Sequence, residues 1–426
     1  MLNTVFDKEL GKNAIVGQSG GPTAAINATL SGVIRGALGS PSIKAVFGMR
    51  NGVEGLLEEK TVRLDAIFGD SEEKLRLLEQ TPAAYLGSCR KKLPDPNSSK
   101  KEDIAVYEKF FDILNRLDIG YFFYIGGNDS MDTVAKMTLY AKNKGIRMRI
   151  IGVPKTIDND LCATDHAPGY GSAAKYIATV TQEVLRDCAV YTVRAVTVIE
   201  IMGRDAGWLC AASALGRRVG GASPDLVYLA EAEFDIERFL EDVARAFEKH
   251  PNVVVAVSEG IRLADGRYVG EATQNGNVDI FGHRYLGGTG NTLADAVKQR
   301  FSCKVRSVEL NLPQRCASHI LSATDIEESV RIGRAAVDAA LEGVSGEMML
   351  FERREGSEYS CVIRHESIFN IANSARPVPR KFINAEGNNV TDECLQYLAP
   401  LIQGEYPVIF EGVIPKHIIF YKNTDL

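Results

Sequence analysis

Short apolar runs alternate along this chain with longer amphipathic stretches, and most of the runs end in glycine and polar residues. Asn13–Val16, Ile43–Phe47, Tyr121–Ile125, Arg149–Val153, Val193–Ile201, Leu226–Leu229 and Asn252–Val257 read as strands, because they are short, β-branched or aromatic, and bounded by turn formers. Thr23–Arg35, Tyr107–Leu117, Asp129–Lys142, Ala173–Arg186 and Ile236–His250 read as the intervening helices. This rhythm predicts an α/β fold with mainly parallel sheets covered by helices. Leu86–Lys101, with Pro94-Asp95-Pro96-Asn97, reads as a long polar loop, and Ile261–Thr292 as a Gly-rich insertion. Beyond Met348 the pattern is less regular and is broken by Pro377 and Pro379, so this tail is predicted as an extension with no assigned role.

Four strands open into loops suited to anions, and ligands of open α/β sheets gather outside the carboxyl ends of strands. Gly17–Thr23, with Gly20 and Gly21, lets backbone N–H groups approach a phosphate at a helix start. A tight strand–helix turn would use the same glycines. Gly126, Gly127, Asn128, Asp129 and Ser130 repeat the device and add oxygen ligands of the kind Mg²⁺ takes. An ordinary helix cap is the alternative there. Pro154–Asp160 brings Lys155, Thr156, Asp158 and Asp160 into one loop. The ammonium can neutralise departing phosphate, and a carboxylate can take a proton from a hydroxyl. The competing reading is an Asx-turn with a solvated lysine. Met202, Gly203 and Arg204 end a β-branched strand. Arg204 supplies a planar cation for phosphate, unless it serves an ion pair with Asp205.

Composition narrows the field further. The 426 residues exceed one simple core and call for two lobes. A net charge of −6 without basic blocks argues against a nucleic-acid partner. No run approaches membrane-spanning length and no signal-like segment opens the chain, which points away from membranes and towards a cytoplasmic setting. The eight cysteines form no CxxC pair and read as buried hydrophobes. GxxxxGK[ST] is absent. Gly169–Ala174 matches a loose GxGxxA but follows Pro168 rather than a strand.

Together the motifs resemble the phosphofructokinase family: Ser19–Asn27, Gly87–Arg90, Gly126–Ser130, Pro154–Asp160, Met202–Trp208, Ser258–Gly260 and Gln314-Arg315 follow the family's order. The resemblance covers roughly 11–345 and implies two Rossmann-like lobes with the active site between them. The donor lobe would comprise 1–165 plus about 316–345, and the sugar-phosphate lobe 166–315 with an insertion at 261–292. The tail, 346–426, would be an extension. The resemblance implies phosphoryl transfer to the 1-hydroxyl of fructose 6-phosphate, with Mg²⁺ as cofactor and Asn128 at the metal. Asp158 would be the base, helped by Thr156 and Asp160. Met202, Gly203, Arg204 and Glu259 would hold the sugar phosphate, with Arg306 and Arg315 on its phosphate, one of them reaching in from a neighbouring subunit of a homodimer or homotetramer. Gly20, Gly21, Arg90, Gly126, Gly127 and Ser130 would meet the donor.

Asp129 and Lys155 decide that donor. ATP-using members usually have glycine at the place of Asp129, where a carboxylate fills space and repels an α-phosphate. Two like charges at ~4 Å cost about 4 kcal/mol at an intermediate dielectric. Lys155 favours a compact, highly charged donor. The pair resembles the pyrophosphate-dependent branch; ATP-dependent transfer and a catalytically silent sugar-phosphate-binding subunit are the alternatives. Three departures are visible. Asn128 stands where many relatives have Asp, Leu312 replaces a histidine, and Ala195 replaces an arginine, with Arg194 one step away.

Overall fold

The computed structural model describes residues 11–419 apart from 70, 271–285, 357 and 373–374. The predicted insertion therefore lies partly outside the described residues. Of its remainder, the last four residues, Thr289–Thr292, open a helix that runs to Arg300.

The strands of the two main sheets, in chain order, are β1 (Asn13–Gln18), β2 (Val46–Met49), β3 (Thr61–Arg63), β4 (Ile119–Gly126), β5 (Arg149–Pro154), β6 (Ala195–Ile201), β7 (Leu226–Tyr228), β8 (Asn252–Ser258), β9 (Lys304–Glu309), β10 (Glu347–Arg353) and β11 (Cys361–Ser367). They build a seven-stranded sheet, β11-β10-β5-β4-β1-β2-β3, and a four-stranded sheet, β7-β8-β6-β9. The second is parallel throughout, and the first is parallel except at its two edges, where β3 and β11 run antiparallel. An α/β class with mainly parallel sheets is what the chain adopts.

β4 shows why its sequence is so apolar. All eight residues are buried, and alternate side chains enter different cores. Tyr121, Phe123 and Ile125 pack with Val16, Ile151 and Ile332. Phe122 and Tyr124 pack with Ile15, Phe110 and Met131 on the opposite face. A strand covered on both sides loses its in/out alternation, and each buried aromatic contributes roughly 1.5–3 kcal/mol.

Strand order also places the clefts. From β1 the chain proceeds to β2 on one side, while β4 and β5 lie on the other, so the loops after β1 and β4 diverge at a switch point. β6 is likewise flanked by β8 and β9. The carboxyl ends of β1, β4 and β5 and those of β6, β8 and β9 border one shared cavity.

The tail is more ordered than its sequence suggests. Its apolar run Met348–Phe351 forms β10, which pairs in parallel with β5, and β11 then closes that edge. Further on, Phe382, Leu395 and Leu398 pack with Trp208 and Leu209 beside the smaller sheet. Pro377 and Pro379 interrupt regular structure there without preventing burial, and Val378 between them is buried.

Candidate active site

The cavity holds about 570 Å³, and its lining draws on loops from both sheets. Every site residue expected from sequence lines it except Gly126, Gly203 and Arg306. The first two shape neighbouring turns. Arg306 is the substantive departure: on β9 it turns away from the cavity and pairs with Asp187 at 3.4 Å, so in its own chain it cannot meet a ligand there. Arg194 likewise stacks on Phe247, 5.1 Å from the ring centroid.

The loop after β1 is cross-braced before any ligand arrives. Gly20 N–H and the Ser19 hydroxyl both donate to the Cys89 carbonyl at 3.1 Å, and the Ser88 hydroxyl donates to the Gly20 carbonyl at 2.6 Å. Gly20 has φ +78°, and a side chain there would also face the Lys155 ammonium, 3.3 Å from the added carbon. Both facts require glycine.

The loop after β4 leads into the helix Asn128–Lys144, whose N-cap is Gly127 with no side-chain cap. The helix-cap reading of Asp129 and Ser130 therefore fails. Asn128 is directed at the neighbouring loop: its Nδ2 donates to Asp160 Oδ2 at 2.9 Å. Its Oδ1 is buried without a partner. The Asp129 side chain stays about half exposed at 53% and lies 3.4 Å from Lys92.

The loop after β5 carries the densest chemistry. Lys155 is 3% exposed and donates to the Gly21 carbonyl at 2.6 Å, so it is not the solvated lysine of an Asx-turn. Thr156 Oγ1 accepts the Asp158 N–H at 3.0 Å and donates to Asp160 Oδ1 at 3.2 Å. Asn159 adopts a left-handed φ of 55°, and its Oδ1 accepts the Ala167 N–H at 3.0 Å. The sharp turn sends Asp158 and Asp160 into the same cavity.

Burial, reinforced by Asp160, pushes the Asp158 carboxyl up to about 7 against the pull of Arg204, Lys155 and Arg315. Burial draws Lys155 down to about 8, opposed by Asp158 and Asp160. A carboxylate and an ammonium that both titrate near neutrality suit proton acceptance and charge neutralisation.

Across the cavity, one carboxylate shapes the loop after β6. Glu259 Oε1 accepts N–H bonds from Gly203 at 3.2 Å and Arg204 at 3.0 Å, and Gln314 Oε1 accepts from Met202 N–H at 3.1 Å. Arg204 sits at φ 54°. The added carbon at Gly260 would lie 1.6 Å from the Arg204 carbonyl oxygen, so only glycine permits this approach. Asp205 does not pair with Arg204. It accepts from Arg262 Nη2 at 2.6 Å and from the Tyr268 hydroxyl at 2.8 Å. Burial pushes Glu259 up to about 7.

The sequence reading missed Glu200, Glu309 and Asn311, which line the same wall. Glu200 accepts the Gly290 N–H at 2.8 Å, and burial pushes it up to about 7. Its signal was available: a lone carboxylate inside an otherwise apolar strand. Leu312, in the family histidine's place, also lines the wall and is 54% exposed.

The sequence profile of phosphofructokinases matches residues 13–340. The chain belongs to the phosphofructokinase family. Among its relatives, the pyrophosphate–fructose 6-phosphate 1-phosphotransferase of Halomonas elongata is 39% identical over 409 residues, 95% of each chain. That of Methylococcus capsulatus is 39% identical over 410 residues, 96% of this chain and 95% of its own. The pyrophosphate-dependent phosphofructokinase structure from Nitrosospira multiformis superposes with a TM-score of 0.85 at 35% identity, covering 96% of each chain. The phosphofructokinase profile ends before β10, whereas these three similarities extend over nearly the whole chain.

Proposed function

We propose that this chain transfers a phosphoryl group from pyrophosphate to the 1-hydroxyl of fructose 6-phosphate, giving fructose 1,6-bisphosphate and phosphate, and that it works in both directions. The observation that carries this reading is the placement of the buried Lys155 and the half-buried Asp158 on one cavity where the two walls meet. Asp158 accepts the proton of the attacking hydroxyl, with Thr156 and Asp160 fixing its loop. Lys155 neutralises charge on the departing phosphate. Met202, Arg204, Glu259 and Arg315 hold the sugar phosphate, with Gly203 shaping their loop; Gly20, Gly21, Arg90, Gly127 and Ser130 cradle the donor, with Gly126 behind them at the end of β4. The protein thus contributes positioning and charge stabilisation, the main levers in phosphoryl transfer. The names of the relatives point to the same donor and acceptor.

Mg²⁺ fits the residues present. The Asn128 oxygen is buried and unpartnered beside Asp160, and oxygen ligands next to a phosphate site suit this ion. Asn128 and Asp160 would hold it, and when bound it would offset negative charge on phosphoryl oxygens.

We assign the loops after β1, β4 and β5 to a donor lobe and those after β6, β8 and β9 to a sugar-phosphate lobe. Arg306, which pairs with Asp187 in its own chain, would serve a neighbouring copy in a homodimer or homotetramer. A cytoplasmic setting accords with the described residues, among which no helix is long and apolar enough to cross a membrane.

The test supplies fructose 6-phosphate and Mg²⁺ with either pyrophosphate or ATP and measures fructose 1,6-bisphosphate. Turnover with pyrophosphate alone is expected. Turnover with ATP alone would refute the donor assignment, and turnover with neither would refute the enzyme reading.

A further inference from the structure

The tail segment at Ala375–Val378 lies between the two loops that carry the proposed chemistry and is bonded to both. On one side it meets the loop after β5. Ala375 bridges Leu161, and Arg376 N–H donates to the Asp160 carbonyl at 2.7 Å. The Arg376 guanidinium then spans the same loop. Nη1 donates to the Thr164 carbonyl at 3.0 Å and to that of Asp165, while Nη2 donates to the Asn159 carbonyl at 3.3 Å. One planar cation thus collects three carbonyls immediately downstream of Asp158, and its own backbone N–H takes a fourth.

On the other side the segment meets the loop after β6. The Arg376 carbonyl accepts from Trp208 Nε1 at 3.2 Å, and the guanidinium lies 4.6 Å from the Trp208 ring centroid. Two residues on, the buried Glu231 carboxylate accepts N–H bonds from Val378 at 2.7 Å and from Gly207 at 3.0 Å. Asn159 holds a left-handed φ of 55°, a conformation that persists where its surroundings over-determine it. Arg376 is the cation that grips the carbonyl of this turn.

We infer that Arg376 is a positioning residue for phosphoryl transfer, fixing the Asp158–Asp160 turn against the loop that holds the sugar phosphate. It touches neither substrate. Its effect is geometric: a guanidinium forks to several carbonyls at fixed angles, whereas an ammonium on a flexible stem does not. A shift of about 1 Å in a reacting group lowers a rate by as much as ~100-fold. Trp208 and Gly207, at the end of the loop that carries Met202–Arg204, are tied to the same segment, so removing the guanidinium loosens the base relative to the hydroxyl it must deprotonate.

This inference rests on the proposed chemistry, and its test is built to fail separately. Wild type, Arg376→Ala and Arg376→Lys are compared as full chains, using whichever donor the wild type accepts, so a wrong donor assignment leaves the comparison intact. The expected result is a kcat about thirtyfold lower in Arg376→Ala, with KM for the donor within about threefold. Added guanidinium ion should restore part of the lost kcat. Arg376→Lys keeps the charge and most of the stem, so it reads out the inference even if the alanine variant does not fold; its kcat should fall about tenfold. A folded Arg376→Lys with wild-type kcat, or an Arg376→Ala that melts earlier while turning over at the wild-type rate, would overturn the inference and leave Arg376 a structural staple.

Discussion

The two walls of the cavity solve different recognition problems. The wall we assign to the donor is made of glycine turns, the cations Arg90 and Lys155, and the carboxylates Asp129, Asp158 and Asp160. The wall we assign to the sugar phosphate carries three carboxylates, Glu200, Glu259 and Glu309, alongside Arg204 and Arg315. On the donor wall the carboxylates sit on short loops beside cations that meet a polyanion, while the sugar wall sets longer glutamates where hydroxyls need acceptors. Both walls are held alike, by bonds between neighbouring loops of one sheet. The donor loops brace one another through Lys155–Gly21 and Asn128–Asp160. The loop after β6 is braced by Glu259, after β8, and by Gln314, after β9.

That contrast can be broken first where the walls meet. Asp158→Asn keeps shape but removes the proton acceptor, and kcat should fall about a thousandfold while KM for fructose 6-phosphate stays within about threefold. Steady-state kinetics across pH tests the same group. Its folded pKa is raised to about 7, so the carboxyl protonates as pH falls through about 7 and activity drops on that side. Equal loss of sugar-phosphate binding in the variant would mean that Asp158 holds substrate rather than a proton.

Next in size is Lys155→Met, for which about a hundredfold lower kcat is expected with KM for fructose 6-phosphate little changed. Wild-type activity should also fall as pH rises through about 8, where burial leaves Lys155 to deprotonate, and the variant should lose this alkaline limb. Glu259→Ala attacks the opposite wall. By freeing the Gly203 and Arg204 N–H groups it should raise KM for fructose 6-phosphate about tenfold and leave KM for pyrophosphate near wild type; a parallel rise in both would erase the distinction between the walls. The smallest effect is expected at Asp129→Gly, a few-fold gain in ATP use that grows when Lys155 is also changed. With ~4 kcal/mol the ceiling for an unscreened pair, the exposed position and nearby Lys92 reduce what Asp129 contributes.

The donor wall was readable from sequence because each of its loops is a consecutive motif directly after an apolar strand. Helix ends were less so: Lys101–Arg116 begins before the predicted Tyr107, since its first turn is polar and exposed. Glu200 was missed because strand periodicity assigns a buried residue to packing. Arg376 gave no local signal at all. Its partners Asn159, Thr164 and Trp208 lie far back in the chain, and only the packing of the tail brings them together. β10 and β11 were missed for a related reason: β10 lies between β5 and β11, and what makes these strands is the sheet they join rather than their own pattern.

Gly260 and Asp129 face evolution differently. A side chain at Gly260 collides with the Arg204 backbone, so almost any substitution there should be lethal to the sugar loop. Asp129 projects from a helix start into partly open space and can be exchanged without repacking anything. A lineage built on this chain could tune its donor preference at one partly exposed position, while its choice of acceptor stays locked in the backbone.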